Sequence, residues 1–63
     1  MNEITGTLHN ISEQLAGAID DAEKFNAGNN SAGTRVRKAM QNIKNLAQIV
    51  RLEVQEQKNT VVA

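Results

Sequence analysis

Apolar residues in this chain recur at steps of four and three, and the stepping is interrupted once. Ile4, Leu8, Ile11, Leu15, Ala18, Ala22 and Phe25 form a first series, widened by Ile19. Val36, Met40, Ile43, Ala47, Val50 and Val54 form a second, broadened by Ala39 and Leu46. Such spacing keeps apolar side chains on one stripe of a helix and does not suit a strand, whose period is two. The interruption, Asn26 to Asn30, is polar and holds Gly28, a residue that tolerates the left-handed backbone on which helices end. The pattern predicts helix one over about 3–26, a loop over 27–30, helix two over about 31–58 and a frayed tail over 59–63. Asn2 or Thr5 is placed to cap helix one. Asn30 is the expected cap of helix two rather than a later start at Thr34, because Ala32 then falls on the apolar face.

A loop this short between two similar helices gives an antiparallel hairpin, with the numbers of facing residues adding to about 54–62. The whole chain of 63 residues is read as one all-α domain. It has no cysteine and one histidine, so neither a disulfide nor a zinc site staples it. Unstapled domains of this size depend on self-association or on very regular helix packing. The expectation is therefore a hairpin that self-associates, as a homodimer or higher, into a coiled-coil-like four-helix bundle. Ile49 and Leu52 lie outside the main stripe of helix two and mark a second apolar surface.

Several function classes are excluded on the residues. No apolar run approaches the ~18 residues of a membrane span, and no membrane partner is expected. Met1-Asn2-Glu3 lacks the basic and apolar regions of a secretory signal, so a cytoplasmic location is expected. Ser12, Ser31 and the threonines have no His–acid partners, and His9 reads as a solvent-facing helix residue. Asp20-Asp21 is a carboxylate pair on a helix surface rather than an acid/base pair in a cleft. The stretch from Gly28 to Gly33 lacks the preceding strand and the Gly-Lys-Ser/Thr ending of a nucleotide loop. An enzyme is not expected, nor a cofactor, a metal or a small-molecule substrate.

Charge is where the chain departs from a plain scaffold. The formal net charge is zero, yet residues 1–30 carry −4 and residues 31–63 carry +4. Two helices of opposite sign attract each other, which is the simplest reason for the asymmetry. Arg35, Arg37 and Lys38 nevertheless crowd the expected start of helix two, where free N–H groups and the positive dipole end already attract anions. Like charges meeting there cost helix stability, so the cluster, with Lys24 across the loop, is a candidate phosphate contact. Farther along, Arg37, Lys44, Arg51 and Lys58 recur every seven residues, about 10 Å apart on one helix edge. That row suits either a phosphate backbone or a flanking coiled-coil position paired with acids of a neighbouring helix.

The run Phe25-Asn-Ala-Gly-Asn-Asn-Ser-Ala-Gly-Thr-Arg-Val-Arg-Lys-Ala-Met40, followed by Ile43-Lys-Asn-Leu-Ala-Gln-Ile-Val-Arg-Leu-Glu-Val-Gln-Glu-Gln-Lys58, resembles the chlamydial-type linker-histone-like proteins of bacteria. The resemblance covers about residues 20–58. It implies a helical hairpin with Gly-Asn-x-x-Ala at its loop and Arg-Val-Arg after it, and nucleoid-associated binding of double-stranded DNA without sequence specificity. Carried over, Arg35, Arg37 and Lys38 match the basic start of helix two. Family members often have Lys where Asn30 stands, and the strongly condensing ones carry a long Lys/Ala/Pro-rich tail. Ending at Thr60-Val-Val-Ala63, this chain resembles the short, tailless members.

The reading is a histone-like, nucleoid-associated protein that contacts DNA phosphates through Arg35, Arg37, Lys38, Lys24, Lys44 and Arg51. Its first rival is a protein–protein module acting through Ile49 and Leu52, and its second a helical bundle gripping paired RNA. No aromatic platform exists for single-strand stacking, and nothing encodes base readout.

Overall fold

The computed structural model describes residues 3–62, with side-chain surroundings for residues 3–58. Asn2, one of the expected caps, and Ala63 lie outside the described residues. Helix α1 spans Glu3–Asn26 and helix α2 spans Asn30–Val62, packed along their length as an all-α hairpin, and no strand occurs among the described residues. The molecule is long and flat, 55 × 16 × 11 Å.

The turn between the helices is built from backbone chemistry. Gly28 has φ +108°, the left-handed conformation. The Asn29 N–H donates to the Lys24 carbonyl at 3.0 Å and the Gly28 N–H to the Phe25 carbonyl at 3.0 Å, which satisfies carbonyls that the end of α1 would leave open. Gly28 thus occupies the position expected for it. The cap of α2 is one residue earlier than expected: Asn29, not Asn30, whose Oδ1 accepts from the Ala32 N–H at 3.3 Å. One residue therefore closes the first helix through its backbone and opens the second through its side chain. At the far end α2 runs to Val62, past the end expected near residue 58. After Gly33 it meets neither glycine nor proline, so nothing in the chain stops it.

The seam is rotated by one row from the expected one. On α1, Ile4, Ile11 and Ala18 face α2 as expected, but their companions at the interface are Thr7, Gln14 and Asp21. Leu8, Leu15 and Phe25, expected inside, are about half-exposed. On α2, Val36, Ile43 and Val50 share the seam with Ala32, Ala39, Leu46 and Glu53, while Met40, Ala47 and Val54 lie outside. Small residues explain the shift. Ala18 and Ala32, 4% and 0% exposed, are the buried residues of the described chain, and with Ala39 they let the two backbones approach closely. Polar pairs then fix the register at both ends. Near the turn Arg35 Nε donates to Asp21 Oδ1 at 2.9 Å. Near the open end Thr7 Oγ1 has two acceptors, the Glu3 carbonyl at 3.0 Å and Glu53 Oε2 at 3.3 Å. Glu53 Oε1 is buried there without a hydrogen-bond partner.

Candidate nucleic-acid interface

The cations of α2 fall on two sides of the flat hairpin. Arg35 and Lys38 line an open groove with Glu13, Gly17, Asp21 and Asn42. Arg37 lies on the opposite side, in a shallow hollow with Phe25, Gly33, Thr34 and Val36. The three residues are neighbours in sequence, but two consecutive residues on a helix are separated by about 100° and do not share a face. The structure thus divides the cluster that the sequence presents as one.

The helix start contributes less than expected. With Asn29 as cap and α2 beginning at Asn30, Arg35 stands beyond the first turn, where the dipole has largely faded. The cations therefore do not converge on the free N–H groups of the helix end.

Acids of α1 hold two of the six candidate cations. Besides the Arg35–Asp21 pair, Lys24 Nζ lies 3.2 Å from Asp20 Oδ2, one turn back on the same helix. Lys24 and Asp20 are both well exposed, whereas Arg35 is about half-exposed and Asp21 is 19% exposed. An exposed pair such as Lys24–Asp20 contributes about 0–1 kcal/mol, so a phosphate can displace Asp20. Arg37, Lys38, Lys44 and Arg51 are exposed and stand outside these pairs. Arg37, Lys44 and Arg51, with Lys58, occupy one edge of α2 at about 10 Å intervals. No group of acidic, histidine or cysteine residues suited to a metal occurs among the described residues. No described helix is long and apolar enough to cross a membrane.

Sequence reasoning missed three contributors. Asp21 reads in the sequence only as half of a surface carboxylate pair with Asp20; its reach to Arg35 depends on how the two helices meet. The Thr7–Glu53 contact joins residues 46 apart and has no local signal. The third is the Phe25 ring, which lies over Gly33: a Cβ added there would meet ring atoms at 2.7 Å. A glycine inside a helix was the available clue, since it is costly unless something needs the space.

An all-α hairpin with opposite charge on its two helices and a cationic row along one edge defines the class of this molecule. The chain matches the family model of histone H1-like protein Hc1 over residues 5–60, nearly its whole length, and belongs to that family. No curated protein and no solved structure matches it.

Proposed function

We propose that this chain is a nucleoid-associated protein that binds double-stranded DNA through phosphate contacts, without base readout, as a self-associated hairpin. The observation that carries the reading is the row Arg37, Lys44 and Arg51: exposed, outside the ion pairs, and regularly spaced along a rigid helix edge. Membership of a histone H1-like family supports it. Arg35, Lys38 and Lys24 add contacts near the turn once phosphate displaces Asp21 and Asp20. Its place is the nucleoid, in the cytoplasm, and it acts without catalysis or cofactor.

The test is a gel-shift titration with random-sequence duplex DNA at about 50 and 200 mM salt, beside duplex RNA. If about four phosphates are neutralised, log K falls against log salt with a slope near −4, a loss of roughly two decades over that range. A salt-insensitive nanomolar complex with one sequence would overturn the reading, because it requires base-edge contacts. The second reading, a protein-interaction module without nucleic-acid binding, is favoured by the half-exposed apolar residues and predicts no shift at either salt.

A further inference from the structure

Among its described residues the hairpin fully buries two alanines and no large side chain. Much of its apolar surface lies beside the seam. Helical periodicity sets Leu8, Leu15 and Ala22 on one flank of α1, and Gly33, Met40, Ala47 and Val54 on the adjoining flank of α2. These rows form one broad face, opposite the groove of Arg35, Lys38 and Asn42. Leu8, Leu15, Met40 and Val54 remain 40–50% exposed. On α2 small residues alternate with large ones, Gly33, Met40, Ala47 and Val54, so side chains project between hollows, the relief that helix–helix packing uses.

We infer that this face receives a second copy of the chain, with α1 of each copy lying on α2 of the other and both turns at the same end. Closed pairing of identical faces uses a two-fold axis in the plane between them. An axis along the hairpin puts α1 on α2 and the turns together. An axis across it puts α1 on α1, α2 on α2 and the turns apart. Neighbouring helices are antiparallel in both, so apolar packing alone does not choose between them.

Charge does choose. The row Arg37, Lys44, Arg51 and Lys58 borders the apolar face at the outer edge of α2. With α2 on α2 this row runs antiparallel to its own copy, bringing Lys44 level with Lys44 and Arg37 level with Arg51. With α1 on α2 the row instead meets an edge of Thr5, Ser12, Ile19 and Glu23, and Glu23 comes within about one turn of Arg37 of the other copy. Over the full sequence, the half carrying −4 then lies on the half carrying +4. The two cationic rows end on opposite sides of the resulting four-helix bundle. Where the proposed DNA binding holds, one bundle therefore carries two separate phosphate-contacting edges and can join two duplexes.

The pairing itself is tested without DNA, so that its failure and the failure of the proposed function are distinguishable. The chain has no native cysteine. Nitroxide labels at Ala27→Cys, beside the turn, and separately at Gln55→Cys, near the open end, report distances by pulsed dipolar spectroscopy. Both labels are expected to give inter-copy distances below about 30 Å, two or three helix diameters. A distance of about 40 Å or more at Ala27→Cys overturns the orientation, and absence of dipolar coupling at both labels at micromolar concentration overturns the pairing. The face is checked with Leu15→Lys plus Met40→Lys, which should abolish the coupling, against Ile49→Lys plus Leu52→Lys, which should retain it. The reverse result moves the interface to the other flank of α2.

Discussion

At the turn, Phe25 and Gly33 act as one unit. The ring occupies the space that any side chain at Gly33 would need. Gly17, also helical, has nothing within 4 Å of an added Cβ. Gly17→Ala should therefore raise stability by about 0.5–1 kcal/mol, the ordinary gain of alanine in a helix. Gly33→Ala should show no such gain in the parent chain and recover it when Phe25 is also replaced by Ala. Thermal denaturation of the three single variants and the double variant tests this, and equal gains at both glycines in the parent chain would dismiss the ring's role. Gly28 was legible from sequence because its task is local: a left-handed residue just past a periodic run. The cap was legible only to within one residue, because Asn29 and Asn30 have the same chemistry and the backbone geometry of the turn decides between them.

On the scale of the elements, each helix was legible and the angle at which it meets its neighbour was not. The four-three stepping identifies a stripe, but Ile4, Ile11 and Ala18 can be joined at the seam by Leu8 and Leu15 or by Thr7 and Gln14. Hydrophobicity favours the leucines. Close approach at Ala18 and Ala32, with Arg35 on Asp21, favours the polar row, and the structure adopts it. The helix's step of about 100° per residue, not the rotation, separates Arg35 and Lys38 from Arg37. Two variants compare the candidate contacts on α2. Asp21→Asn leaves Arg35 without its acid and should strengthen duplex binding severalfold at low salt. Lys44→Gln with Arg51→Gln should weaken it and reduce the salt slope by about two. Parallel gel-shift titrations separate the possibilities: an unchanged slope in the double variant would remove the row from the interface.

For the whole molecule, the proposed pairing couples stability to assembly. A hairpin burying only Ala18 and Ala32 among its described residues has little core of its own, and the proposed pairing would supply the missing packing. The thermal midpoint followed by circular dichroism should rise with protein concentration from micromolar to millimolar. A midpoint independent of concentration would show that one chain folds unaided. The turn gives this assembly an unexpected second form. Of the described residues that connect the helices, Gly28 alone has positive φ, and it reverses the chain there. Gly28→Ala favours continuing the helix straight through residues 27–29. The two arms would then separate, and each would find its complement on a neighbouring molecule, exchanging the intramolecular seam for the same seam between chains. The product would be a rod of about 90 Å, roughly 60 residues of helix at 1.5 Å each, measurable by small-angle scattering. One glycine thus decides whether the same complementary surfaces close within a molecule or are shared between two.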